Sequence, residues 1–172
     1  MSHIEHEDIA KEKYKSVRIS IITVSDTRTE SEDISGKIII EEVKNAGHKI
    51  HKYTLCKDDV TSIRQTLMNS LKGSDVIIIT GGTGISVRDV TIEAVRPLLD
   101  KEIEGFGELF RFLSYQDIGP SAALSRALGG IISDKVVFCI PGSPNAVKTA
   151  LEKLIIPLIP HILYEVHKHE TI

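Results

Sequence analysis

Apolar residues along this chain fall into two alternating patterns. One is short, dense and rich in β-branched residues: Val-Arg-Ile-Ser-Ile-Ile-Thr-Val at 17–24, His48 to Cys56, Val76 to Ile79, and Val136 to Ile140. Runs of this length and composition read as strands, and the third and fourth, which are continuously apolar, read as buried ones. The other pattern recurs at helical spacing. Ile34, Ile38, Val43 and Ala46 follow Asp33 and stop at Gly47, and Ile63, Leu67 and Leu71 come four apart. Phe106, Leu109, Phe110 and Leu113 mark a further helix, as do Val147, Ala150, Leu151 and Leu154 behind Ser143-Pro144. Val95 and Leu98 predict a short helix limited by Pro97. Pro157 and Pro160 are expected to break the pattern before a last helical segment, whose His167 and His169 read as solvated. Residues 1–15 are polar and aperiodic, an N-terminal tail or a short helix, with His3 and His6 spaced like metal ligands but lacking a third. Residues 16–168 read as a single domain.

Strands alternating with helices predict right-handed βαβ units and an α/β fold with a largely parallel sheet. In such a sheet the C-terminal ends of the strands share one edge, where ligands bind. The segments that follow the strands therefore matter most.

The third strand empties into Thr80-Gly81-Gly82-Thr83-Gly84. Glycines there allow main-chain N–H groups to approach an anionic ligand, and Asp89-Val90-Thr91 reads as a helix start adding further donors. The first strand ends in Ser25-Asp26-Thr27-Arg28, without the glycines of a dinucleotide fingerprint. The second ends in Lys57-Asp58-Asp59, where one carboxylate suffices to cap the next helix and the other is left for different work. Pro141-Gly142-Ser143-Pro144 offers a second anion cradle, and the stretch after the turn Gly119-Pro120-Ser121 carries Ser125 and Arg126. Backbone donors, hydroxyls and several carboxylates converging on one edge suit a phosphorylated ligand held with a divalent cation, magnesium being the natural one, because carboxylates alone repel phosphate. No P-loop motif occurs, and neither a Gly-x-Ser-x-Gly elbow nor a Cys/His arrangement supports covalent hydrolysis.

Composition narrows the class without naming it. The chain has 172 residues, 41% hydrophobic and 26% charged, which fits one globular domain and suggests neither a disordered nor a membrane-spanning class. The polar N-terminus lacks the apolar core of a signal peptide, so the cytoplasm is expected. A net charge of −3 with scattered basic residues argues against nucleic acid as a partner. Cys56 and Cys139, far apart, read as reduced thiols.

Taken in order, Ile-Ile-Thr-Gly-Gly-Thr-Gly (78–84), Arg88-Asp89-Val90-Thr91, Gly105-Phe106-Gly107-Glu108, Ser125-Arg126 and Pro141-Gly142-Ser143-Pro144 resemble the MoaB/MogA family of molybdenum-cofactor biosynthesis. The resemblance extends over Val17 to Val166. It implies a three-layer αβα, Rossmann-like molybdopterin-binding fold that assembles as a homotrimer or homohexamer. It also implies adenylyl transfer from ATP to the terminal phosphate of molybdopterin with Mg²⁺, and delivery of the product to a downstream metal-insertion protein. Asp58 and Asp89 match the family's catalytic positions and are the expected metal ligands. Ser25, Asp26, Thr80, Gly81, Gly82, Thr83, Gly84, Ser121, Ser125, Arg126, Pro141, Gly142 and Ser143 are the expected substrate-binding residues. The rival expectations are a carrier or regulator that binds molybdopterin without catalysis and a trimeric scaffold; the choice between molybdenum and tungsten stays open.

Overall fold

The computed structural model describes residues 3–169. Its strands are β1 (Arg18–Val24), β2 (Lys49–Cys56), β3 (Val76–Thr80), β4 (Lys101–Glu102), β5 (Leu128–Ile132) and β6 (Lys135–Ile140). They form one six-stranded sheet in the order β2-β1-β3-β6-β5-β4. The four strands read from the sequence are parallel to one another, whereas β5 runs antiparallel to β6 and β4 antiparallel to β5. The sheet is thus mostly, not wholly, parallel. β5 and β6 are joined by a tight turn through Ser133 (φ 57°) and Asp134, short enough only for antiparallel neighbours.

Strand alternation divides the core into two layers. Val76, Ile78, Phe138 and Ile140 point to one face, Ile77, Ile79, Val137 and Cys139 to the other. On the first face pack α2 (Ile34–Asn45), α5 (Glu104–Ile118), α6 (Pro144–Ala150) and α7 (Ile156–His167), bringing Ile39, Val43, Phe106, Phe110, Val147 and Ile159. Phe106 and Phe138 meet at 4.8 Å between ring centres, and fully burying one such ring is worth about 2–3 kcal/mol. On the second face lie α3 (Val60–Leu71), through Ile63 and Leu67, and the single turn α4 (Thr91–Val95), through Ile92 and Val95. The three layers are helices, sheet, helices.

At the chain's ends the structure selects one open alternative and overturns another expectation. His3–Lys13 forms α1, the helical one of the two forms open to the N-terminal residues; it lies against α7 and buries Ala10. The prolines do not interrupt the last helix: a π-type turn over Leu151–Ile155 links α6 to α7 without a break. Proline crowds the carbonyl four residues back, and for Pro157 that carbonyl falls within the wider turn, which gives it room. His167 stacks on Tyr14 at 6.2 Å and is not simply solvated. The side chains of His3 and His6 lie outside the described residues. Cys56 and Cys139 are both free thiols.

The outermost strands are lined with charge. Lys49, His51 and Lys52 of β2 are exposed, as are both residues of β4. Along the C-terminal edge of the sheet, the last residues of β1, β2, β3 and β6 come level: Val24 pairs with Cys56, Thr23 with Thr80, and Thr80 with Ile140. The chain turns to opposite sides of β1 on leaving it for β2 and on entering β3, which opens a crevice at this edge.

Candidate functional site

The four loops leaving this level edge enclose a cleft of about 590 Å³. β1 contributes Ser25 to Arg28, β2 Asp58, β3 Gly81 to Gly84 with Ser86, Arg88 and Asp89 beyond, and β6 Pro141 and Gly142; Leu124, Ser125 and Arg126 close the far side.

The glycine loop has a conformation that only glycine tolerates. Gly81 (φ +94°) sits so close to β1 that a Cβ would lie 2.5 Å from the Val24 carbonyl oxygen; at Gly82 (φ +65°) it would lie 2.8 Å from Asp58 Oδ1. Every carbonyl of the loop is held from behind. Thr91 donates from Oγ1 to Gly81 O (2.8 Å) and from its amide to Gly82 O (2.9 Å). Arg126 donates from Nε to Thr83 O (2.9 Å) and from Nη2 to Gly84 O (2.8 Å), while its fork is fixed by Glu93. Among the described residues the amides of Gly82, Thr83 and Gly84 find no protein acceptor. Three donors without partners on a rigid loop can receive an anion.

Asp58 and Asp59 separate cleanly. Asp59 caps α3, accepting from the Ser62 amide (2.8 Å) and hydroxyl (2.7 Å), and these bonds hold its carboxyl below the usual range. Asp58 turns into the cleft. Its amide donates to Asp26 Oδ1 (3.0 Å), and its own Oδ1 is buried with no hydrogen-bond partner. Burial, then the negative charges of Asp89 and Asp26, push its carboxyl above the ordinary value, with the nearby Val90 amide and the charge of Arg88 acting in the opposite direction.

Asp89 lies in the cleft but does not open a helix as its position suggests. α4 starts at Thr91 with Val90 before it, and the Asp89 carboxylate instead accepts from the Ser86 amide (3.0 Å), folding the loop back on itself. Its carbonyl also faces Arg126 Nη2 at 3.4 Å. Ser25 shapes its own loop, its Oγ accepting from the Arg28 amide (3.2 Å).

Three expected ligand contacts fall elsewhere. Thr80 is fully buried and donates to the Pro141 carbonyl (3.1 Å), tying two loops together. Ser121 is exposed in a 3₁₀ turn and does not line the cleft. Ser143 caps α6 through the Ala146 amide and borders a neighbouring hollow of about 180 Å³, which shares Ser125 and Pro141 with the main cleft. Conversely, Thr27, Arg28, Ser86, Arg88 and Leu124 line the cleft without having been marked as ligand contacts. The signal for both arginines lies in their segments themselves: Arg28 ends Ser25-Asp26-Thr27-Arg28 and Arg88 opens Arg88-Asp89-Val90-Thr91.

Burial raises the thiol of Cys56, at the end of β2, to about 11, which leaves it little thiolate character at neutral pH. Among the described residues no group of three or more His, Cys, Asp or Glu could hold a metal unaided. No helix among them is long and apolar enough to cross a membrane.

The profile of the family described as "Probable molybdopterin binding domain" matches residues 20–161. The chain belongs to this molybdopterin-binding family. Within it, the chain is 54% identical over 171 residues to molybdenum cofactor biosynthesis protein B of Bacillus cereus, covering 98% of this chain and 99% of that one. Among solved structures, a crystal structure of molybdenum cofactor biosynthesis protein B superposes with a TM-score of 0.88 at 55% identity, over 90% of this chain and 98% of that one. The tungsten cofactor synthesizing protein MoaB of Pyrococcus furiosus superposes with a TM-score of 0.81 at 42% identity, over 88% and 98% respectively. The family match includes all four loops of the cleft, and the MoaB/MogA resemblance carried by the sequence motifs holds for the three-layer fold as well.

Proposed function

We propose that this protein is a molybdopterin adenylyltransferase of molybdenum or tungsten cofactor biosynthesis, working in the cytoplasm as a homotrimer or homohexamer and passing its product to a metal-insertion protein. The observation that carries the reading is the buried, unpartnered Oδ1 of Asp58 facing a loop of unpaired amides. A buried carboxylate oxygen left without a hydrogen-bond partner calls for a cation, and the amides beside it call for an anion.

The reaction joins an oxygen of molybdopterin's terminal phosphate to the α-phosphorus of ATP, while the bond from that phosphorus to the β-phosphate bridging oxygen breaks and pyrophosphate leaves. The phosphate is already a nucleophile, so no activated side chain is needed and positioning does most of the work. The amides of Gly82 to Gly84 receive phosphate oxygens. Arg126 keeps that loop rigid, and Asp26 fixes Asp58 through its amide. Asp58 and Asp89 would hold Mg²⁺, which when bound neutralises charge on the phosphates. Two carboxylates suit that ion, which usually takes one or two and completes its shell with water and substrate phosphate.

The test is pyrophosphate release from Mg-ATP with and without molybdopterin, in wild type, Asp58→Asn and Asp89→Ala. Release is expected to require the pterin and to fall by about 10² to 10³ in either variant. Tight pterin binding with no release would make the protein a carrier instead.

A further inference from the structure

We propose that Arg88 is an exchangeable counter-ion: it occupies Asp26 while the cleft is empty and transfers to the phosphates of an incoming nucleotide, leaving the carboxylates to a divalent cation. This rests on the Mg-nucleotide reading above and assigns a residue and an order of events that the reading does not contain.

The three guanidinium groups in the cleft are held very differently. Arg126 is bound to Glu93 and to loop carbonyls and cannot leave without unmaking the glycine loop. Arg28 has no side-chain partner among the described residues. Arg88 makes one contact, from Nη2 to Asp26 Oδ2 at 3.3 Å, and is 81% exposed. An exposed ion pair of this kind contributes little, so breaking it costs little. The apolar side chains of its segment add no restraint, since Ile85 and Val87 on either side of Ser86 are exposed, Val87 to 98%. Its base is firm: the Asp89 carboxylate grips the Ser86 amide, and Ser86 Oγ accepts from the Arg88 amide (3.1 Å). A firm base with a loosely held cation lets the guanidinium change partners while the backbone stays in place.

Asp26 is the natural place for it to wait. One Asp26 oxygen is engaged by the Asp58 amide, so the other is the oxygen Arg88 reaches. In that position the arginine offsets part of the negative charge shared by Asp26, Asp58 and Asp89, and a metal ion arriving alone must compete with it. A nucleotide changes the balance, because the planar fork of arginine pairs with phosphate in two parallel hydrogen bonds and with Asp26 in only one here. Metal and nucleotide therefore assist each other through Arg88, and by linkage the assistance is equal in both directions.

The experiment measures Mn²⁺ binding to the full chain at low salt by electron paramagnetic resonance, alone and with a non-hydrolysable ATP analogue, for wild type, Arg88→Gln and Arg88→Lys. In wild type the analogue is expected to tighten Mn²⁺ binding by a factor in the range of about 5 to 150. Arg88→Gln should bind Mn²⁺ alone several-fold more tightly than wild type and lose most of that coupling; Arg88→Lys should keep the weak metal-only affinity and part of the coupling. Equal metal-only affinity in wild type and Arg88→Gln overturns the counter-ion role and leaves the adenylyl-transfer reading intact. Failure of wild type to bind the analogue with any metal overturns the functional reading itself, and the phosphate half of this proposal with it.

Discussion

Asp58 and Asp59 are covalent neighbours whose surroundings pull them in opposite directions. Asp59 is stabilised as an anion by the α3 cap; Asp58 is held up by burial and by the charges of Asp89 and Asp26. A carboxyl whose folded-state pKa exceeds its unfolded value adds stability while protonated, and that stability is lost as pH rises from the ordinary value of 3.8 through the folded one. Asp58→Asn is thus expected to be more stable than wild type at neutral pH, with the gap closing as pH falls through the carboxylate range, as thermal denaturation at several pH values would show. A less stable Asp58→Asn at neutral pH would mean that the carboxylate has a structural partner. The sequence cannot separate the two aspartates, since both directly follow the strand; only the extended backbone of Asp59 and the reach of its side chain to Ser62 decide which one caps. Thr80 misleads for a related reason. It adjoins the glycines, but the last residue of a central strand still alternates, and its hydroxyl is spent inside.

The helices owe their edges to short-range chemistry, and that chemistry can be removed without touching the cleft. Asp59→Ala deletes the α3 cap and should cost about 1 kcal/mol, seen as a Tm lower by about 2–4 °C for a chain of this size. Pyrophosphate release should be unaffected, and a loss as large as that for Asp58→Asn would contradict the division of labour between them. Periodicity made α2, α3, α5, α6 and the parallel strands legible because each has one face committed to the core. β4 and β5 escaped it. β4 has only two residues, and β5 contains Gly129-Gly130, which reads as a break but lies beneath Phe106 and Leu99, where a Cβ would come within 3.0 Å of each. The packing that asks for those glycines comes from residues more than twenty positions away, and no local window contains it.

At the scale of the molecule, the cleft exists because one sheet edge gathers loops that are far apart in the chain, and the sequence revealed this once strands were seen to alternate with helices. Its rim was less legible, since Arg88 and Leu124 reach the cleft only through the folding of their loops. The proposed assembly also belongs to this scale. Leu109, Phe112 and Tyr115 stand exposed at three-residue spacing along α5, Phe112 at 61%, a stripe more apolar than a lone surface helix needs. Phe112→Asp is expected to yield monomers in sedimentation velocity where wild type yields trimers or hexamers; unchanged oligomers would place the subunit contact elsewhere. Such an assembly must grow through helices, because the sheet itself is closed to recruitment. Lys49 and Lys52 along one border and the stunted Lys101-Glu102 along the other put charge on the rows of open amides and carbonyls. A second chain laying a strand there would bury lysine without a counter-charge. A fold that hides its most aggregation-prone segment, Val76 to Thr80, at the centre of the sheet thereby also denies fibrils a place to start.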